Sequence, residues 1–370
     1  MPLDSTWIWQ QKNWPAFYWN QETLSPWLIR ARLAQSKIIA AIQPLDNQLV
    51  LDLVAAILVE DGLTTSAIEG ERLDKELVRA SVARHLGLLT ANLPNSPRPV
   101  DGVIEVLLDA ARNFDKPLTL EYLFNWQATL FPSGCSESRL IRTGMLRGEE
   151  PMKVISGSVE NERVHFIAPP HDALEKELEQ FLQWFNQDSI TLDGLIRAGL
   201  AHFWFVTLHP FQDGNGRVAR AITDRALSQD EKQPMRLFSV SAQILGHRDS
   251  YYDILERSQR GSLDITEWLM WFLQQIEAAA HTAEKTLART LTKNYFWQRH
   301  QHTELNQTQR KVLNRLLDSE PEGFKGGINI RKYMSLTKTS RAKAYDELND
   351  LVEKQCLGKT EKGLALLKPV

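Results

Sequence analysis

The chain has 370 residues, of which 43% are hydrophobic and 24% charged, and a formal net charge of −3; this is a soluble globular composition with length for two or three domains. The average charge excludes generic nucleic-acid binding by the whole molecule, yet residues 308–370 hold thirteen Lys or Arg against eight Asp or Glu, a net of +5 that leaves −8 on the rest. Two lone cysteines, Cys135 and Cys356, exclude a disulfide framework; with no secretory signal and no apolar run of about 18 residues, a cytoplasmic location away from membranes is expected.

Residues 1–48 form an aromatic-rich helical segment holding Trp7, Trp9, Trp14, Phe17, Tyr18, Trp19 and Trp27. A docked arm is the simplest reading, since aromatic side chains mostly serve packing; self-association through it, giving a homodimer, stays open. Helical periodicity covers Glu22 to Gln43, with Pro44 beyond its end, and Gln48 to Gly62. The continuation to Gly70 puts Thr65 and Glu69 four apart on one helical face, with Gly70 placed to stop the helix. Asp74–Leu89, Val103–Asn113 and Leu120–Leu130 continue the pattern, interrupted by a loop with Pro94 and Pro97 and with Pro99 just beyond it. Two apolar runs, Lys153–Ser156 and Val164–Ile167, flank a turn and read as a hairpin.

Asp172–Asn186 and Thr191–Leu208 are helical, and the second delivers the stretch Leu-His209-Pro-Phe-Gln-Asp213-Gly214-Asn215-Gly216-Arg217-Val-Ala-Arg220. Pro210 ends the helix, the glycines permit a tight turn close to a ligand, and a new helix starts at Arg217. Amides feeding a helix N-terminus attract anions, and Arg217 and Arg220 share one face above them; a phosphate-rich ligand is implied. Ser241–Gln259 and Leu263–Thr292 are further helices, followed by a polar linker from Asn294 to Glu304. In residues 305–370 three helices, Gln309–Leu317, Ile330–Leu336 and Thr339–Lys354, precede a basic hairpin, the order of a winged helix-turn-helix.

The stretch from His209 to Arg220 resembles the Fic motif at every defining position. The resemblance implies an all-α fold, a Fic helical bundle over residues 49–292 with a small β-hairpin flap (153–167); the winged-helix domain that follows rests on the order of its elements instead. It also implies a protein adenylyltransferase that moves AMP from ATP onto a Ser, Thr or Tyr hydroxyl of a target protein, itself included. His209 would be the general base and Asp213 the ligand of Mg²⁺, the implied cofactor. Gly214, Asn215, Gly216, Arg217 and Arg220 would hold the phosphates, and Ser156 and Gly157 of the flap, with Tyr251 and Gln259, complete the ATP-binding set. Thr65-Ser-Ala-Ile-Glu69-Gly70 is similar to the Fic inhibitory motif, which implies that Glu69 bridges Arg220 and blocks productive ATP alignment. Two alternatives remain: a de-AMPylase using the same site, and a nucleotide-sensing regulator that binds DNA through Arg341 and Lys343. The winged helix could equally take a protein partner.

Overall fold

Short polar side chains open most of the helices. The computed structural model describes residues 7–88, 93–136, 139–156, 162–319, 324, 327–360 and 363–367. In chain order come α1 (Gln21–Ile42), α2 (Asn47–Ile68), α3 (Lys75–His85), α4 (Arg98–Arg112) and α5 (Leu120–Leu130). Strands β1 (Cys135–Ser136), β2 (Arg139–Leu140), β3 (Lys153–Ser156) and β4 (Arg163–Ile167) follow. Next are α6 (Leu174–Asn186), α7 (Gly194–Leu208), α8 (Asn215–Glu231), α9 (Val240–Gly246), α10 (Arg248–Ser258) and α11 (Thr266–Arg299). The chain closes with α12 (Gln307–Leu317), α13 (Ile330–Thr337), α14 (Arg341–Glu353), β5 (Leu357–Thr360) and β6 (Gly363–Leu366). Asn20, Asp74, Thr119, Asp193, Ser239 and Ser340 accept from first-turn amides of α1, α3, α5, α7, α9 and α14, satisfying donors that a helix itself leaves unpaired.

The chain is mostly helical, as its periodicity predicts, and divides into two units, Met1–Pro44 with Val54–His281 and Leu45–Leu53 with Thr282–Val370. In the first, α7 is the central rod: Leu195 through Leu208 are all buried, so its apolar residues run around every face rather than along a stripe. Gly199 lets α11 close on it, because a Cβ there would lie 2.7 Å from Phe272 Cδ1, and Trp268 Nε1 donates to the Gly199 carbonyl at 2.8 Å. Helix α8 packs along α7. Strands β3 and β4 pair antiparallel with a register shift between Val154 and Ile155.

The second unit has its own core, including Val312, Leu313, Leu316, Tyr333, Leu348 and Leu351. Tyr333 donates to Glu347 Oε2 at 2.6 Å, and Asn306 Nδ2 donates to Glu347 Oε1 at 2.8 Å. Strands β5 and β6 pair antiparallel, and Ile328 bridges Leu364.

Several element boundaries depart from the periodicity reading. Helix α4 begins before Pro99, which sits in its first turn, where a missing N–H costs no helical bond. The span 241–259 is two helices broken at Gly246 and His247. Helix α11 runs to Arg299, through the start of the expected linker: the polar composition there belongs to one face, while Phe296 is buried. The pairing of β1 with β2 was not expected. Among the described residues no helix is long and apolar enough to cross a membrane.

Candidate active site

The last turn of α7 sets the site. His209 takes a left-handed backbone, φ 47° and ψ 55°, which swings the chain off the helix axis ahead of Pro210. Its N–H still donates to the Phe205 carbonyl at 3.1 Å, and its Nδ1 lies 3.2 Å from the Val206 carbonyl. That carbonyl can only accept, so it places the ring proton on Nδ1 and leaves a lone pair on Nε2. Burial, joined by the Arg147 guanidinium and outweighing the Val206 hydrogen bond, pushes the imidazole down to about 4. His209 is therefore neutral near pH 7, the form that can accept a proton.

The turn that follows is held from within. Phe211 is fully buried against the rings of Phe124 and Phe205. Asn215 accepts from the Phe211 amide at 2.9 Å and donates to the Phe211 carbonyl at 2.8 Å, clasping both ends of the loop. Gly214 has φ 88°, and a Cβ on it would meet Phe131 Cε2 at 2.8 Å, so both its dihedral and its space require glycine. Helix α8 then starts without a side-chain cap, which presents its first-turn amides to an outside anion. Half-buried Asp213 accepts from the Gly214 amide at 2.5 Å through Oδ1 and from the Ser136 hydroxyl through Oδ2.

Two arginines stand over this helix start. The Arg217 guanidinium lies 4.5 Å from the Phe131 ring centroid, and its Nη1 is 3.3 Å from Glu71 Oε2. Arg220 is buried and donates three times to the end of α2: Nε to Thr65 Oγ1 at 2.7 Å, Nη2 to the Thr65 carbonyl at 3.0 Å and Nη2 to Glu69 Oε1 at 2.7 Å. Arg217 Nε and Arg220 Nη1 are buried without a hydrogen-bond partner. Helix α2 stops because Gly70 takes φ 88° and the Glu71 amide turns back to the Ser66 carbonyl at 3.0 Å, a glycine-dependent helix ending. Burial alone would raise the Glu69 pKa, but the Arg220 guanidinium, with Arg217 and His209 behind it, holds it below the usual carboxylate value. Glu69 reaches Arg220 across Gly216, whose added Cβ would stand 2.2 Å from Glu69 Oε1.

Residues 117–227, which contain the whole loop and both arginines, match the family model described as "Fic/DOC family". The chain carries a Fic domain. Residues 7–88, including α2, match a second model, described as "Domain of unknown function (DUF4172)". Protein adenylyltransferase fic-1 of Caenorhabditis elegans is 36% identical over 89 residues, 24% of this chain and 16% of that protein. Protein adenylyltransferase Fic of Nematostella vectensis is 30% identical over 98 residues, 26% of this chain and 22% of that protein. The matched segment thus spans less than a quarter of either relative. A Fic family protein from Desulfovibrio desulfuricans G20 superposes with TM-score 0.55 at 17% identity, over 95% of this chain and 98% of that one. Fic-1 from C. elegans gives TM-score 0.51 at 17% identity, covering 73% and 74%. These two likenesses are of fold.

Around the Fic motif the structure gathers Thr65, Glu69, His209, Asp213, Gly214, Asn215, Gly216, Arg217 and Arg220. Several expected ATP contacts have their side chains engaged within the protein, Tyr251 close to Arg220 and Glu69. Tyr251 is only 2% exposed, its hydroxyl pairs with His202 Nε2 at 2.9 Å, and its ring packs on Trp268 and Trp271; it is a core residue rather than an open stacking face. Its neighbour Tyr252 is 39% exposed beside Arg248, 5.2 Å from the ring centroid. Gln259 is buried, with its amide donating to Thr207 Oγ1 at 3.2 Å. Asn215 gives its side chain to the loop rather than presenting it outward. Ser156 ends β3, and Gly157 lies outside the described residues.

One functional residue carries no local signal in the sequence. Arg147 is 2% exposed; its Nε donates to the His209 carbonyl at 2.9 Å and its Nη2 to the Pro169 carbonyl, while its own amide donates to the Pro210 carbonyl at 2.9 Å. It ties the left-handed turn at His209 to the base of the hairpin. Only a buried arginine sixty residues upstream could reveal this, and burial is not written in local sequence.

Proposed function

We propose that this chain is a protein adenylyltransferase, transferring AMP from ATP to a Ser, Thr or Tyr hydroxyl of a target protein and held back by Glu69. The observation that carries the reading is the triple donation of Arg220 to Thr65 and Glu69, beside an uncapped helix start and a neutral histidine. The acceptor hydroxyl gives its proton to His209 Nε2 as its oxygen bonds to the α-phosphorus; the bond from that phosphorus to the β-bridging oxygen breaks, and pyrophosphate leaves. The first-turn amides of α8 and the guanidinium of Arg217 hold the phosphates, and Arg220 joins them once Glu69 lets go. The buried, unpartnered Arg217 Nε and Arg220 Nη1 supply donors suited to an incoming anion.

Mg²⁺ fits the donor set through Asp213. Among the described residues no cluster of three or more His, Cys, Asp or Glu could hold a metal, which suits an ion carried mainly by phosphate and water with a single carboxylate from the protein. When bound, it would neutralise charge on the phosphates. The half-buried Asp213 keeps lone pairs beyond those used by Ser136 and Gly214.

The winged-helix assignment of residues 305–370 is supported by α12 to α14 followed by the β5–β6 hairpin, and by exposed Arg341, Lys343 and Tyr345 on the first turns of α14. A cytoplasmic location accords with the free cysteines Cys135 and Cys356. Incubation with α-labelled ATP and Mg²⁺ tests the activity: Glu69→Gly should label itself or a target, and combining it with His209→Ala should abolish the label. Release of AMP from a labelled protein, without labelling, would assign the reverse reaction instead.

A further inference from the structure

The segment at the start of the described chain lies along the flap. Residues 7–11 zip onto the end of α10: Trp7 bridges Arg260, the Ile8 amide donates to the Gln259 carbonyl at 2.9 Å, and Gln11 Nε2 donates to the Gly261 carbonyl at 2.6 Å. From that seat three contacts reach the flap. The indole of Trp7 meets Phe166 edge to face, 5.3 Å between centroids at 86°, and the two rings form a small core of their own with Ala168. Trp9 Nε1 donates to the Ile167 carbonyl at 2.7 Å. Arg260, its guanidinium 4.6 Å from the Trp7 ring centroid, donates to the Val164 and His165 carbonyls at 3.2 Å each.

Three carbonyls of β4 are thus taken by side chains, and its other edge pairs with β3. An edge strand with open carbonyls invites pairing with another chain; here that invitation is withdrawn on the β4 side and left on β3, which among the described residues pairs only with β4 and where Ile155 is 53% exposed. The contacts also continue inward. Two residues beyond Ile167, the Pro169 carbonyl accepts from Arg147, whose other nitrogen holds the His209 carbonyl.

We propose that Trp7 and Trp9, with Arg260, act as a positioning strut that fixes the flap strand β4, so that a target segment pairs along β3 at a set height above His209. This gives the matched segment of unknown function a task in presenting the protein substrate, and it rests on the adenylyltransferase reading above. The contacts of the three run to the flap and to α10 rather than to the phosphate loop. The strut acts through the flap, so its loss weakens use of the protein acceptor and spares ATP.

The test uses the full chain carrying Glu69→Gly as enzyme and the full chain carrying His209→Ala as acceptor in trans. Trp7→Leu with Trp9→Phe should speed amide exchange at 153–156 and 163–168 by about 10-fold. It should raise the acceptor KM by a similar factor while leaving exchange in α7 and α8, and binding of a fluorescent ATP analogue, within about twofold. Trp7→Phe, which keeps an aromatic edge on Phe166, should restore both. Unchanged flap exchange overturns the strut, and so does faster exchange spread through α7 and α8, which would make the segment a general core element. If Glu69→Gly alone transfers AMP neither to this acceptor nor to any protein of a cell lysate, the adenylyltransferase reading fails, and flap exchange decides whether the strut stands.

Discussion

The two ends of α8 are built from the same kinds of side chain in different proportion. At its start two buried arginines, Arg217 and Arg220, meet carboxylates from outside the helix, Glu69 at 29% and Glu71 at 45% side-chain exposure. Toward its other end Asp224 and Glu231, with Asp61 from α2, surround the single Arg236. Arg236 lies 3.4 Å from Asp224 and 2.5 Å from Glu231, and Ser239 donates to Asp61. Charges balance two against two at the start, yet Arg217 Nε and Arg220 Nη1 stay without a hydrogen-bond partner and are donors that an anion can satisfy. Excess carboxylate at the end is relieved by protons: burial, with Asp224 nearby, raises Asp61 well above its usual value, and burial pushes Asp224 up to about 6. Arg236 Nε and Nη2 also lack a hydrogen-bond partner, so the contrast is one of charge: balanced ion pairs at the start, surplus carboxylate held by protons at the end.

Removing the base should break the working end most severely. His209→Ala in a Glu69→Gly background should lower AMP transfer by about 10²–10⁴-fold, the range for a positioned general base, measured with α-labelled ATP. Freeing the arginine is next: Glu69→Gly alone should raise transfer by about 5–150-fold, a typical coupling between a switch and its site. Labelling no greater than wild type would leave the Arg220 contact without a regulatory role.

The acid limb of that activated variant sharpens the contrast further. A depressed histidine pKa keeps the base form as pH falls past 6.5 and loses it toward about 4. Glu69 raises the His209 pKa, so its removal takes away one influence that holds the limb up, while burial continues to hold it down. A limb at 6.5 or above in the pH profile of kcat/KM would contradict this. The smallest effect belongs to the other end. Asp61 and Asp224 bind protons more tightly folded than unfolded, so their contribution to stability is full below about 3.8 and is lost as pH rises through about 6 for Asp224. Asp61→Asn keeps an acceptor for Ser239 and removes the charge. It should flatten the fall in Tm between pH 5 and pH 8, by about 2–4 °C per kcal/mol recovered.

The phosphate loop was legible because its residues are consecutive and each has a local reason to be there: a helix breaker, a glycine with positive φ, arginines three apart. Thr65 and Glu69 were legible for the same reason, a four-residue spacing on one helix. What escaped depends on contacts between distant segments. Nothing near Arg147 announces that it holds the His209 and Pro169 carbonyls, and nothing near Ser136 announces Asp213. Asp61 reads as one polar residue in an apolar helix until Ser239 and Arg236 are folded against it. Tyr251 and Tyr252 are adjacent in sequence, so which ring faces inward follows from the phase of α10 against α11. The aromatic composition of the arm points to docking, but its seat on α10 and the flap depends on the tertiary fold.

Gly216 carries one more consequence. Its missing methyl is the clearance through which Glu69 reaches Arg220, since a Cβ would stand 2.2 Å from the carboxylate and 3.1 Å from Arg220 Nη1. The loop that receives phosphate and the path that restraint travels are therefore the same few ångströms of empty space. A mutational scan that read only catalytic output would record Gly216→Ala as a mixture of two opposed effects. A lineage that accepted that one carbon atom would have to relearn, in a single step, both how to hold a nucleotide and how to stay silent.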